Sequence, residues 1–392
     1  MHLSSRFLLL RRRSVRLSRG FTIIELMVGL VLGMLTVVVI TAVLSSSEGK
    51  RRTITMGSDA QINGSLSLYA LQRDIQMAGY GAATNPAALG CDIKGEYKDP
   101  SAPASTPAIP FTAVLAPVVI ENGANGAPDR ITVLQSRTSG FSAPMLLSND
   151  HAKTAEFFTV KSSFGAKAGD LMIAVPKDGG TSTSWCAVFN VTDAGAGAAN
   201  GTALDATHIP HVAGGTSKWN RSSVFPDAGY VEKSYLLNMG ALSFNTYSID
   251  SGQNLVVTGI SADSASGTPE QLYPQIVNLQ AMYGKDTTGG GQVSSYDNTT
   301  PTTSADWQRV LAIRVALVAR SNQYEKDEVT SAVPLWDVGA SSTATGAATC
   351  GTSKCISLDV SQVSDWKHYR YKVYDTIVPL RNVLWNSANP TP

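Results

Sequence analysis

The pattern of apolar and polar positions changes twice along this chain, from no alternation to a helical period to a period of two, and each pattern predicts its own kind of element. From Phe21 to Leu44 there is no alternation, and Glu25 is the one ionisable side chain in the run. As a helix rising about 1.5 Å per residue, that run covers about 36 Å, enough to cross a hydrocarbon core of about 30 Å. From Ser45 to Ala78 the period becomes helical. Ile62, Leu66 and Tyr69 are spaced by four and three, and Leu68, Leu71, Ile75 and Ala78 by three, four and three, a pattern read as one broad apolar face laid on a sheet. Gly49, Gly57 and Gly64 each cost about 1 kcal/mol against alanine within a helix, so a bend is expected there. Gly79-Tyr80-Gly81 and Asn85-Pro86 end the helix, which is expected to run about 58 residues.

Beyond it the period falls to two. Residues 82–128 are rich in Ala, Pro and Gly and read as an irregular connection. Short β-type runs bounded by turn residues follow at 130–135, 156–160, 170–175, 185–192, 234–238, 242–249 and 255–260. In 276–283, Val277, Leu279, Ala281 and Tyr283 alternate with Asn278 and Gln280. In 309–320, Leu311, Ile313, Val315 and Leu317 alternate with residues that include Arg314. Both are expected as half-buried strands. Polar loops are expected at 284–306 and 338–353, a last strand at 369–374, and a closing segment at 378–385. No second convincing helical period interrupts the strands, so an antiparallel sheet is expected rather than alternating strand and helix. The fold class is therefore α+β.

Charge changes the picture at the N-terminus. The stretch from Met1 to Gly20 carries Arg6, Arg11, Arg12, Arg13, Arg16 and Arg19 and no acidic residue. Clustered basic residues hold a flank on the cytoplasmic side, so the chain after Leu44 is expected outside. The whole chain has 31 Lys+Arg against 30 Asp+Glu, and the part after Gly20 is mildly acidic, which argues against nucleic acid as a partner. Glu25 within the apolar run costs roughly 2.5 to 3.5 kcal/mol on the insertion scale and calls for a partner or a function.

Four cysteines allow three pairings. Cys350 and Cys355 enclose Gly-Thr-Ser-Lys in a polar loop and are the first candidate disulfide, and Cys91 and Cys186 remain as a second possible pair. An oxidising periplasm preserves such bonds. A Cys-x4-Cys metal site is the rival for Cys350 and Cys355, without a second ligand pair nearby. His208 and His211 bracket Pro210 without the helix or glutamate of a zinc-protease motif, and His2, His151 and His368 stand apart, so surface histidines are expected. Asp286-Thr-Thr-Gly-Gly-Gly offers one carboxylate where a calcium loop needs several oxygens, with Asp297 as its nearest possible helper. No cofactor, metal or catalytic constellation is expected.

Arg19-Gly20-Phe21-Thr22-Ile23-Ile24-Glu25-Leu26 followed by the apolar run resembles the class III leader of type IV prepilins and pseudopilins. The resemblance implies cleavage between Gly20 and Phe21 by a membrane prepilin peptidase, then N-methylation of Phe21. It also implies a charge pair between the Phe21 ammonium and Glu25 of the same or a neighbouring subunit. That cleavage removes the six leader arginines and leaves more acidic than basic side chains, a net negative charge. Further along, 237–240, 276–286, 310–321 and 369–382, the last reading Tyr-Arg-Tyr-Lys-Val-Tyr-Asp-Thr-Ile-Val-Pro-Leu-Arg-Asn, resemble the PilW family of type IV pilus minor pilins. What this implies is a pilin-like lollipop: leader 1–20, transmembrane helix 21–44, amphipathic continuation 45–81, and a β-rich periplasmic head 82–392, with room for two subdomains. The implied partners are other minor pilins, the major pilin, the inner-membrane assembly platform and the inner membrane itself, with a place at or near the pilus tip. A J-type pseudopilin of type II secretion and an adhesive or DNA-capturing tip pilin share the helix and remain alternatives. The span lacks the helix-loosening proline of many major pilins, and its Gly29 and Gly33 form a small-xxx-small pair.

Overall fold

The computed structural model describes residues 20–138, 142–196, 202–214, 217–221 and 224–384, with the backbone alone of residues 49–59. The basic flank from Arg6 to Arg19, His2 and the closing residue Trp385 lie outside the described residues. Two compact units are present, Met1–Thr55 and Met56–Pro392. Helix α1 (Ile23–Met77) begins in the first, where Ile23–Glu48 is long and apolar enough to cross a membrane and has none of its residues buried.

In the second unit, the last turns of α1 carry Leu71 and Ile75, with Ala78 just beyond them, fully into a core shared with the sheets. Ile62, Leu66 and Tyr69, expected on the same face, are instead 53%, 45% and 63% exposed. At about 100° per residue the two rows lie about 180° apart around the helix, so they are opposite faces and only one meets the sheet. Gly64 belongs to the buried side. A Cβ there would sit 2.3 Å from a ring carbon of Tyr374, so the glycine is what lets that ring lie against the helix backbone. The helix stops at Gly79, whose φ of 76° suits glycine and whose N–H donates to the Leu134 carbonyl at 2.8 Å.

Numbered in chain order, the strands are β1 (Asp92–Tyr97), β2 (Ile109–Val114), β3 (Val118–Glu121), β4 (Arg130–Gln135), β5 (Met145–Leu146), β6 (Phe157–Thr159) and β7 (Leu171–Val175). Next come β8 (Cys186–Asn190), β9 (His208–Pro210), β10 (Tyr235–Gly240), β11 (Ser243–Ile249), β12 (Asn254–Ile260), β13 (Glu270–Pro274) and β14 (Ile276–Lys285). The rest are β15 (Ser295–Asp297), β16 (Val310–Arg320), β17 (Leu335–Asp337), β18 (Ala347–Cys350), β19 (Ser353–Ser357) and β20 (Tyr371–Pro379), with short helices α2 (Ser304–Gln308) and α3 (Arg381–Leu384). They form a six-stranded sheet, β2-β1-β8-β7-β10-β5, a five-stranded sheet, β13-β12-β11-β4-β3, and a four-stranded sheet, β15-β14-β16-β20. A three-stranded sheet, β17-β19-β18, and the pair β6-β9 complete the set. Pairings are antiparallel except β1 with β8, which is parallel.

Several expectations are corrected. Residues 82–128 are not an irregular connection: they hold β1, β2 and β3, whose apolar residues Ile93, Phe111, Val118 and Ile120 are buried, with Pro110 inside β2 and other prolines in the connections. The loops expected at 284–306 and 338–353 contain β15 and β18. β20 runs on to Pro379, absorbing the start of the segment expected to close the chain. Strands β14 and β16 are not half-buried. Nearly every residue in both is buried, because the core under α1 covers one face and a second core, with Trp336, Ile356 and Leu358, covers the other. A bulge between Ile276 and Asn278 sends Val277 into that second core, away from Leu279, Ala281 and Tyr283. The polar residues of the alternation meet protein rather than water. Asn278 Nδ2 donates to the carbonyls of Gly126 at 2.8 Å and Asp359 at 2.7 Å, and Gln280 Nε2 donates to that of Ala127.

Candidate functional site

Two places in the chain carry chemistry that packing alone does not explain: the start of α1 and the covalent and polar fastenings of the head. At the start of α1, Thr22 and Glu25 form a reciprocal cap. Glu25 N–H donates to Thr22 Oγ1 at 3.2 Å, while Glu25 Oε2 accepts from both Thr22 N–H and Thr22 Oγ1 at 3.1 Å. This is the T-x-x-E capping box, which satisfies two N-terminal donors at once. Thr22 was legible in the sequence as half of that motif, yet the reading of Glu25 there turned on charge and passed it by. Gly20 and Phe21 are exposed just ahead of the cap. Further along, Thr36 and Thr41 turn their hydroxyls onto the carbonyls of Leu32 and Val37, so the span presents little unpaired polarity.

In the head, Cys91 is bonded to Cys186 and Cys350 to Cys355. The first bond ties the approach to β1 to the first residue of β8 across 95 residues of sequence, and both cysteines are buried. The second closes the turn between β18 and β19.

The histidines depart from expectation. His208 and His368 are partly exposed, but His151 and His211 are 3% and 4% exposed. Their Nε2 atoms lie 2.8 Å apart among Phe158, Phe189, Phe225 and Tyr230, with the His151 ring stacked on Phe158 at 3.7 Å. One Nε2 must therefore carry a proton and the other a lone pair. Burial holds both imidazoles neutral, lowering the His151 pKa to about 4, and His151 further disfavours charge on His211. His151 Nδ1 has no hydrogen-bond partner. Only the separation of the two histidines in sequence hid this pair.

Asp286 is occupied by its own loop: Oδ1 accepts from Gly289 N–H at 2.7 Å and Oδ2 from Gly291 N–H at 2.7 Å. Asp297 is paired with Lys285 Nζ at 2.6 Å. Among the described residues, no three His, Cys, Asp or Glu side chains come together as metal ligands. Asp129, buried behind β4, accepts from the N–H groups of Gly123 and Ala281, and burial outweighs those bonds to raise its pKa to about 6. A groove of about 810 Å³ opens between α1 and β11 to β13, where Asp74 accepts from the Tyr247 hydroxyl and from Asn245 Nδ2 beside Arg73 and Arg137. Burial, then Asp74, pushes the Tyr247 phenol up.

A capped apolar helix of membrane-spanning length, followed by an α+β head with two disulfides, defines the class: an α+β protein that begins on one long helix. Residues 246–382 match the family model described as Type IV Pilus-assembly protein W, PilW, so the strands from most of β11 to β20 carry the pattern of a pilus-assembly protein. Among solved structures, a type IV-like pilin from Thermus thermophilus aligns at 12% identity, over 55% of this chain and 87% of its own, with a TM-score of 0.21. No curated protein matches the chain.

Proposed function

We propose that this chain is a minor pilin of a type IV pilus, made as a precursor, stored in the inner membrane and drawn into the complex that primes fibre assembly. In this reading the peptidase cuts between Gly20 and Phe21, Phe21 is N-methylated, 21–44 remains as the span, 45–81 continues the helix, and 82–392 forms a periplasmic head that reaches the pilus tip. Other minor pilins, the major pilin and the assembly platform are its partners. The observation that carries the proposal is the PilW match over 246–382, joined in one chain to a leader-type start and an apolar helix. Deleting the gene and counting surface fibres tests it: loss of fibres is the expected result, and normal fibres with lost adhesion or DNA uptake would make the head a binding tip instead. The mature protein is expected to begin at Phe21 with one added methyl group, and intact mass showing residues 1–20 retained, or cleavage after Leu44, would overturn the maturation.

Glu25 has two candidate tasks, and one substitution separates them. Glutamine still fills the N3 position of a capping box but carries no charge. If Glu25 attracts the Phe21 ammonium of a neighbour, Glu25→Gln should resemble Glu25→Ala, inserting and processing normally yet co-purifying poorly with the other pilins, and Glu25→Lys should be worse. If capping is its task, Glu25→Gln keeps wild-type assembly.

A further inference from the structure

β20 forms one edge of its sheet, and its hydrogen-bonding parity can be read directly. Leu380 N–H donates to the Leu311 carbonyl and Ser321 N–H to the Arg370 carbonyl, which fixes the even-numbered residues of β20 as those bonded to β16. The odd ones, Tyr371, Val373, Asp375 and Ile377, turn their N–H and C=O groups outward, at intervals of about 6.8 Å. None of these outward groups meets another described residue. Pro379, also odd, has no N–H to offer and closes the row.

The other edges of the larger sheets are shorter or blocked. β15, β5, β3 and β13 run three, two, four and five residues, and β2 carries Pro110. Long open edges are templates for another strand, and proteins usually blunt them. β20, at nine residues, is blunted by Pro379 at its end and otherwise by Lys372, which lies 5.1 Å from the Tyr374 ring centre and has no ion-pair partner among the described residues. Asp375 is already engaged by Arg314 at 2.8 Å. Ile377 is half exposed.

From this geometry we propose that the outer edge of β20 receives an extended segment of a different pilin-type subunit, with a carboxylate facing Lys372 and an apolar residue facing Ile377. The identity of the partner class rests on the pilus reading above, and the strand-docking edge does not. A second copy of this chain fits badly. In an antiparallel self-pairing, odd residues must oppose odd ones, so Lys372 meets only even residues and never Asp375. No antiparallel register of β20 on itself neutralises the lysine, and in a parallel one the only carboxylate it could meet, Asp375, is already held by Arg314.

The test uses the full chain in cells that make the pilus system. Ile377→p-benzoylphenylalanine is irradiated and the adduct mapped by mass spectrometry, in the parent and with Val373→Pro or Val373→Ala added. Val373→Pro deletes an outward N–H and leaves the bonds to β16 intact, whereas Val373→Ala keeps the N–H. The expected result is an adduct on a strand-forming segment of another leader-bearing subunit, reduced at least about tenfold by Val373→Pro and by Lys372→Glu and retained with Val373→Ala. Thermal unfolding shows that the Val373→Pro head is folded; if it is not, Lys372→Glu alone decides. No adduct, an adduct with a second copy or with this chain's own residues 385–392, or one indifferent to both changes overturns the proposal. If deletion of the gene abolishes fibres while no such adduct forms, the edge proposal fails and the pilus reading stands. An adduct on a strand of a leader-bearing subunit in cells whose fibres survive deletion leaves the edge standing and removes the pilus role.

Discussion

The six-stranded and four-stranded sheets both bury their central strands on two faces, yet they do so with different sequences. In the first, β7 reads Leu-Met-Ile-Ala-Val and β8 reads Cys-Ala-Val-Phe-Asn, near-continuous apolar runs held between the cores that contain Trp219 and Phe158. In the second, β14 interposes Asn278 and Gln280, each bonded to a loop carbonyl. The first sheet is fastened by a disulfide and packed rings. The second is fastened by the helix on one side and by directional amides on the other. Polar residues inside a strand are therefore no guarantee of a wet face.

The largest expected effect falls on the first sheet. Opening Cys91–Cys186 with Cys91→Ser releases a loop of 95 residues, and the loop-length relation gives a loss of about 4 to 5 kcal/mol. Denaturant unfolding of the variant, read by Trp fluorescence, should show it, and an unchanged midpoint would mean the aromatic cluster suffices alone. Next comes the helix under the second sheet: Leu71→Ala should cost roughly 2 to 5 kcal/mol by cavity formation, while Leu66→Ala on the opposite face should stay within about 0.5 kcal/mol. Equal losses would erase the distinction between the two faces.

Acidity should move the two regions in opposite directions. The folded pKa of His151 is depressed from 6.5 to about 4, so its contribution is present above pH 6.5 and lost as pH falls through about 4, on the order of 3 kcal/mol. Asp129, beside the second sheet, is raised from 3.8 to about 6, so its contribution is present below pH 3.8 and lost as pH rises through about 6. Hydrogen exchange at pH 7 and pH 4.5 should show weaker protection in β6 to β9 at the lower pH. His151→Phe should remove only the His151 share of that dependence and leave that of buried His211, and protection unchanged by pH in the parent would contradict the buried neutral pair. The smallest disulfide effect belongs to Cys350→Ser, about 2 kcal/mol for so short a loop, with the fold retained.

The long helix and most of the strands from β4 onward were legible because apolar residues keep one period for long enough to be counted. β1 to β3 were hidden by prolines, most of them in the turns between the strands and one, Pro110, within β2, so composition spoke for connection while the short runs were already strands. The two faces of α1 were conflated because spacings of three and four identify a row without saying which way it points. Glu25 drew attention by its charge; its bond to Thr22 is a matter of close spacing along the chain and was equally available. The histidine pair and the amide bonds of β14 depend on contacts between distant parts of the sequence, which no local pattern records.

Those amide bonds bear on where the molecule could be cut. The region matching PilW starts at residue 246, but its buried groups draw on residues well upstream of it. Gln280 donates to Ala127, Ala281 donates to Asp129, and the Tyr283 hydroxyl accepts from Ile120 N–H at 2.7 Å. Excising 246–382 would remove these partners together with the Leu71, Ile75, Ile120 and Ile131 side chains that cover Leu279, Ala281 and Tyr283, laying an apolar core open to water. The stretch that matches the family model is thus not a severable module, and a fragment of the head that keeps these bonds has to include the chain from before β3.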